Sequence, residues 1–475
     1  MSVGVGVRTV SAKPSFLSGI LSAIFERGRA HARRDAPSEA RRARLSRHAA
    51  ADLPALCARL ISADHGEASS VAMAGEILAG WSALDTQGQL DFLVALASGF
   101  GPDPARLDRA IDAYRAQPGA ETVMELHYAA EPPRQEVLRR LNYAPLGAQT
   151  LVRMREAALP HLAGHPALRA LDADFVHLFS SWFNRGFLVL RRIDWSSPAN
   201  ILEKIIRYEA VHEIRNWDDL RRRLEPHDRR CFAFFHPALV DEPLIFVEVA
   251  LTGGVPSGID GLLAAGPSPA AGARPDTAVF YSISNCQTGL KGISFGDFLI
   301  KQVVDELQRE LPEIKTFVTL SPVPGFAAWL AGQCENGDGL LPDEDKAVLC
   351  RLTGEEWPSD GDLVDQARPR LLRAAAIYLL QAKTPSGKPL DPVARFHLGN
   401  GASLRQLDVL GDTSPRALRE ALGLMVNYQY KLDEIEANHE RLARDGYVAA
   451  GPDIHRLAAG APPPVASRTR RPRKP

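Results

Sequence analysis

Residues 277–326 read TAVFYSISNCQTGLKGISFGDFLIKQVVDELQRELPEIKTFVTLSPVPGF, and the fold turns on how they are read. Thr277 to Ser284 is rich in β-branched and aromatic residues, which suit a half-buried strand. A turn carrying Gly289, Gly292 and Gly296 follows. Apolar residues then recur at Leu299, Ile300, Val303, Val304, Leu307 and Leu311, with Lys301, Asp305, Glu306 and Arg309 between them, which is the period of a helix with one buried face. Lys315 to Leu320 forms a second strand, stopped by Ser321-Pro-Val-Pro-Gly325. A helix approached through glycines leaves backbone N–H groups open in its first turn, where an anion such as a pyrophosphate can sit.

Working outward, further strands are expected at Phe187 to Ile193, Cys231 to His236 and Pro243 to Leu251, with a helix from Pro198 to Tyr208. The runs at 231 and 243 are nearly continuous in apolar residues, as interior strands are. Gly266 to Pro275 is a loop by composition. Downstream, Glu335 to Asp345 reads as an acidic, exposed excursion, and Leu363 to Gln381 as a helix. Asp391 to Gly401 reads as a short strand ending in a turn, and Ala417 to Glu436 as an amphipathic region. These elements make residues 185–460 a mixed sheet flanked by helices.

Residues 46–184 read differently. Leu53, Leu56, Leu60 and Ile61, then Ile77, Leu78, Trp81 and Leu84, then Leu90, Phe92, Leu93 and Leu96 fall at helical spacing, broken by turns such as Gly101-Pro-Asp-Pro104. Phe175, Leu178, Phe179 and Trp182 form an aromatic stripe expected to pack on the next domain. No His, Cys and carboxylate cluster with metal-ligand spacing stands here, so the region is assigned scaffold or oligomerisation work. The fold class is α+β, an all-helical N-terminal domain followed by the mixed-sheet domain. Residues 1–45 contain an arginine-rich arm (Arg27, Arg29, Arg33, Arg34, Arg41, Arg42, Arg44), and residues 461–475 a proline- and arginine-rich tail expected to be disordered.

Composition bounds the partners. With 56 Lys+Arg against 57 Asp+Glu in 475 residues, no global field favours nucleic acid or a membrane surface. Neither a secretory signal nor a run long enough to span a bilayer is read. The five cysteines lack CxxC spacing, which speaks against structural zinc and against a disulfide framework, and makes a reducing cytoplasm the expected compartment.

The turn Lys291-Gly-Ile-Ser-Phe-Gly296, between a strand and a helix, resembles the acyl-CoA pyrophosphate loop of the GNAT acetyltransferases, [RQ]-x-x-G-x-[GA], with Lys291 and Ser294 standing in for two of its positions. Neither a dinucleotide G-x-G-x-x-G nor a P-loop is present. More specific is an ordered set: Gly186-Phe-Leu, Tyr208-Glu-Ala-Val-His212, Glu248-Val-Ala-Leu-Thr-Gly253, Phe280-Tyr-Ser-Ile-Ser284, Phe298-Leu-Ile-Lys301, Leu320-Ser-Pro-Val-Pro-Gly-Phe326, Arg395-Phe-His-Leu398 with Asn400-Gly-Ala402, and Leu424-Met-Val-Asn-Tyr428. This set resembles the malonyl-CoA decarboxylase family.

The resemblance implies a helical oligomerisation domain, giving a dimer or tetramer, and a GNAT-like domain that binds CoA. It implies conversion of malonyl-CoA to acetyl-CoA and carbon dioxide with no metal or organic cofactor, CoA being part of substrate and product. It also makes Ser321 and His397 the catalytic pair and Tyr430 a further active-site donor, although packing is an equal reading of Tyr430. Losing carbon dioxide from a β-carboxy thioester leaves an enolate, which needs donors at the thioester oxygen and a proton for the carbanion. Gln287, Thr288, Gly289, Lys291, Gly292, Ser294, Gly296 and Lys301 are the expected CoA contacts. The family often has a glutamate where this chain has Ser294, which here can instead cap the following helix.

His212 and His236 are read as structural, and Cys286, at the mouth of the loop, has no obvious base to make it a nucleophile. Two other functions fit parts of the sequence: a GNAT-type acyltransferase, from the loop alone, and a non-catalytic acyl-CoA sensor. A Ser–His hydrolase is disfavoured because Ser321 does not stand in a G-x-S-x-G elbow.

Overall fold

The computed structural model describes residues 53–62, 66–264, 275–293, 298–335, 339–352 and 354–460. The arginine-rich arm and the C-terminal tail lie outside the described residues, as do Ser294 and Gly296. Two compact units partition the chain. One takes the residues up to Val189 with Phe234–Leu244 and Gln287–Phe295, and the other takes Leu190–Ala233, Ile245–Cys286 and the residues from Gly296 on.

In the first unit, helices Glu67–Ala83, Thr86–Gly99, Pro104–Ala116, Ala120–Ala130, Pro133–Asn142, Gly147–Ala158 and Pro166–Trp182 follow one another. Their ends obey local chemistry. Asp85 accepts from the Gly88 N–H, and Asp103 caps a helix that has Pro104 in its first turn, where a missing N–H costs nothing. Phe175 and Phe179 are fully buried, and Phe179 meets Phe183 edge to face at 5.5 Å. Phe183 in turn lies against the His236 ring at 4.9 Å, so the aromatic stripe is core.

A seven-stranded sheet, most of whose residues belong to the second unit, comprises β1 (Val189–Ile193), β2 (Arg229–Phe235), β3 (Pro243–Thr252), β4 (Thr277–Asn285), β5 (Thr316–Pro322), β6 (Ser403–Asp408) and β7 (Met425–Gln429). Their order is β1-β2-β3-β4-β5-β7-β6. β3 and β4 are antiparallel, β4 and β5 parallel, and β7 runs antiparallel to both β5 and β6. Every residue of β2 and β3 is buried, as their apolar runs require. A parallel pair needs a long crossover, and the helix Phe298–Glu310 supplies it between β4 and β5. That helix buries Leu299, Ile300, Val303, Val304 and Leu307, the face read from the periodicity. Each such side chain contributes about 1.5–3 kcal/mol relative to exposure, so the crossover is held by packing rather than by helix propensity.

Three expectations need correction. Residues 392–399 are helix, not strand: Pro392–Gly399 begins at an Asp391 cap with proline in the first turn, a helix-start signal that outweighs the β-type side chains that follow. The stretch from Ala417 to Glu436 is not one amphipathic element but the end of the helix Pro415–Ala421, strand β7 and the start of the helix Ile435–Asp445. Finally, Cys334 and Cys350 form a disulfide with Cα atoms 5.9 Å apart, tying the helix Phe326–Glu335 to the end of the helix Asp343–Leu349. The presumed excursion is thus partly helical and cross-linked. Folding brings together two cysteines that their spacing of 16 gave no reason to pair, so cysteine usage does not assign a compartment. Among the described residues no helix is long and apolar enough to cross a membrane.

Candidate active site

Ser321 lies near the end of β5, opposite Val426 of β7, and Thr319 stands two residues earlier on the same face, opposite Tyr428. The pairing brings Ser321, Thr319, Tyr428 and Tyr430 to one side of the sheet. His397 reaches them from the helix Pro392–Gly399. Its Nε2 is 3.1 Å from Ser321 Oγ, across 76 positions of sequence, and its Nδ1 is 2.9 Å from the Tyr430 hydroxyl. The imidazole stacks on the Tyr428 ring with centroids 4.6 Å apart. The Tyr430 backbone N–H donates to the Phe317 carbonyl, which fixes the tyrosine to β5.

The hydrogen bonds define a direction. The Ser321 hydroxyl donates to Thr319 Oγ1 at 2.9 Å, leaving the Ser321 oxygen to accept from His397 Nε2. Burial pushes the His397 imidazole down to about 3, so it is neutral near pH 7 and holds one ring proton. With that proton on Nε2, Nδ1 accepts from the Tyr430 hydroxyl. A single relay therefore runs Tyr430, His397, Ser321, Thr319. Such an arrangement places a serine hydroxyl and an imidazole N–H in a buried site, where hydrogen bonds to developing charge are strongest.

The expected CoA residues are placed differently from one another. Gln287 donates its side-chain amide to the Pro243 carbonyl at 3.0 Å, and Thr288–Leu290 is a single 3-10 turn. Gly289 is buried, and a Cβ there would be driven into the Val152 carbonyl of the helix Gly147–Ala158. Arg155 of the same helix donates to the Gly289 and Lys291 carbonyls, both at 2.8 Å. Gly289 is thus a close-packing glycine, while Gly292 has φ +83°, the left-handed region that favours glycine. Thr288 and Lys291 are exposed, and Lys301 is half-buried on its helix.

Three of the ordered stretches converge on a second buried cluster. Glu209 accepts from the Ser282 and Ser284 hydroxyls and from the Val211 and His212 N–H groups. Arg223 donates to Glu248 at 2.9 Å and to the His212 carbonyl at 2.8 Å. Burial pushes the Glu248 carboxyl up to about 7 against the pull of Arg223, and holds His212 down at about 4. This cluster joins strands and loops. Cys286 is buried with its Sγ toward the Ser284 carbonyl.

Sequence reading missed Thr319, Tyr428 and Asp391. The first two are one more β-branched and one more aromatic residue in strands, and only the β5–β7 register sets them beside Ser321 and His397. Asp391 was detectable as an Asp-Pro helix start.

Family models described as the malonyl-CoA decarboxylase C-terminal and N-terminal domains match residues 186–468 and 100–183. The chain is 36% identical over 382 residues to the mitochondrial malonyl-CoA decarboxylase of Anser anser anser, covering 73% of this chain and 75% of that protein. It is 35% identical to the mitochondrial enzyme of the same name from Mus musculus, covering 73% and 77%. Among solved structures, malonyl-CoA decarboxylase from Rhodopseudomonas palustris is 58% identical with a TM-score of 0.82, covering 86% of this chain and 99% of that one. The one from Agrobacterium vitis is 56% identical with a TM-score of 0.80 and the same coverage. A helical region followed by a mixed sheet, matched along most of its length by decarboxylases, defines an α+β carboxy-lyase. The chain belongs to the malonyl-CoA decarboxylase family.

Proposed function

We propose that this chain converts malonyl-CoA to acetyl-CoA and carbon dioxide through an enolate, with Ser321, His397 and Tyr430 as the reacting groups. The observation that carries the reading is the continuous relay through Tyr430, His397 and Ser321, formed by the residues that the family resemblance singles out. The bond between the malonyl carboxylate and Cα breaks, its electron pair passes into the thioester, and carbon dioxide leaves. The Ser321 hydroxyl turns from Thr319 Oγ1 to donate to the developing enolate oxygen, while the His397 Nε2–H goes on donating to the Ser321 oxygen and strengthens that donor. Cα then takes a proton, and the relay recovers one from solvent, so the reaction consumes one proton overall and returns every residue to its starting charge. Burial suits this chemistry because a poorly solvated carboxylate leaves more readily. Gln287, Thr288, Gly289, Lys291, Gly292, Ser294, Gly296 and Lys301 are proposed to line the CoA moiety, Lys291 through a phosphate.

Self-association through the helical region is part of the proposal. Val123, Met124 and Tyr128 are more than half exposed on the helix Ala120–Ala130, an apolar face of the kind that partners cover. Product analysis tests the reaction itself: carbon dioxide and acetyl-CoA should appear one to one from malonyl-CoA, and Ser321→Ala and His397→Asn should abolish both. Full activity in those two variants would remove Ser321 and His397 from the chemistry.

A further inference from the structure

His397 and Ser321 meet at 3.1 Å although they come from a helix and a strand end that are 76 positions apart. One side chain touches the backbone of both elements. Asp391 caps the helix that carries His397: its Oδ1 accepts from the Val393 and Ala394 N–H groups, each at 2.9 Å. Its Oδ2 points the other way and accepts from the Gly325 N–H and the Tyr378 hydroxyl, each at 3.4 Å. Gly325 closes the Pro322–Gly325 turn that leads directly out of Ser321.

The residue types fit this double task. Four donors converge on two oxygens, and only an ionised carboxylate offers acceptors alone on both. Asparagine would set an N–H of its own against one of them, and serine has a single oxygen. Asp391 is 1% exposed, and no lysine or arginine forms an ion pair with it among the described residues. Its charge is offset by the four donors and by the N-terminus of the helix it caps. A Cβ at Gly325 would crowd the Tyr378 hydroxyl, so glycine lets the turn come close to that ring. Tyr378 is braced in turn by Phe326 and Trp329, at 5.7 and 5.0 Å, on the helix that follows the turn.

We propose that Asp391 is a positioning residue for the Ser321–His397 pair, one carboxylate oxygen fixing the start of the histidine helix and the other fixing the turn behind the serine. Tyr378 is the brace of this clamp, holding Oδ2 in place. The inference rests on the reading of Ser321 and His397 as the reacting pair.

Steady-state kinetics with malonyl-CoA, together with thermal unfolding, on Asp391→Asn, Asp391→Ser, Tyr378→Phe and His397→Asn test it. Asparagine and serine both cap helices well, so a residue that only capped would tolerate either change. The clamp instead requires kcat to fall about tenfold or more in both, with KM within about twofold, because misplacement of reacting groups costs turnover rather than binding. Tyr378→Phe, which keeps the ring, should lower kcat about threefold. A wild-type kcat in either folded Asp391 variant overturns the inference, whatever KM does. Should both fail to fold, Tyr378→Phe decides, and a wild-type kcat there overturns it. His397→Asn separates the two claims: if it stays active, the Ser–His reading itself falls, whereas an inactive His397→Asn beside fully active Asp391 variants removes only the clamp.

Discussion

The neighbouring parallel strands β4 and β5 end in turns of opposite character. After β4 the chain offers backbone: Gly289 lies close under the Gly147–Ala158 helix, Arg155 holds two of the turn's carbonyls, and the side chains left exposed are Thr288 and Lys291. The end of β5 offers a side chain: Ser321 meets His397 from the helix Pro392–Gly399 and, through it, Tyr430 just past β7, all three buried and joined by hydrogen bonds. A glycine turn can serve packing or phosphate binding, and here Gly289 serves packing. The three polar side chains at the end of β5 are buried and hydrogen-bonded to one another, and the proposed chemistry falls to them.

The contrast can be broken at its strong end first. Ser321→Ala and His397→Asn should each lower kcat by about 10²–10⁴-fold, the range expected for positioned donors, while thermal unfolding stays close to wild type; normal turnover in a folded variant would make the relay a structural feature. Tyr430→Phe removes only the outermost hydroxyl and should cost about tenfold in kcat. At the other turn, Gly289→Ala should destabilise the protein by about 1–3 kcal/mol, seen as a lower Tm, because its methyl group meets a backbone carbonyl that cannot rotate away. An unchanged Tm would mean that the turn is looser than its packing indicates. Lys291→Ala should do least, raising KM about threefold at constant kcat, the mark of a contact made equally in ground and transition states.

Acid should also act on the buried histidines. Burial holds His212 and His236 at about 4 and His397 at about 3, all below the ordinary value near 6.5. Unfolding exposes them to protonation, so the stability each contributes is complete above pH 6.5 and is lost progressively as pH falls toward those lower values. At pH 5 the loss is up to about 2 kcal/mol per histidine, opposed by Glu248, whose raised carboxyl favours the folded state as pH falls below about 7. Unfolding midpoints measured between pH 7.5 and pH 5 should decline, and His236→Asn should flatten the slope. A midpoint that rises on acidification would contradict the neutral assignment.

Much of this was legible in the sequence. The helix Phe298–Glu310 announced itself because one face of it is continuously apolar, and β2 to β5 because central strands carry their burial in composition. Ser321 and His397 stand in the ordered stretches and Tyr430 two residues beyond the last of them, and the fold brings the three together. What escaped is what register and distance create. Thr319 gains meaning only from standing beside Ser321 in a buried strand, and Tyr428 only from lying under an imidazole. The segment after Asp391 reads two ways because Val393 and Phe396 suit a strand as well as a helix, and only the Asp-Pro start favours the helix. The Cys334–Cys350 bridge carries no local motif at all.

The buried relay at the end of β5 is what we propose removes carbon dioxide from malonyl-CoA. Incubation with malonyl-CoA in deuterated water, followed by mass-resolved product analysis, tests it most directly. Carbon dioxide should form in equal amount with acetyl-CoA carrying one solvent deuterium, and His397→Asn should form neither. Free CoA accompanied by malonate, or by an acylated amine, would contradict it.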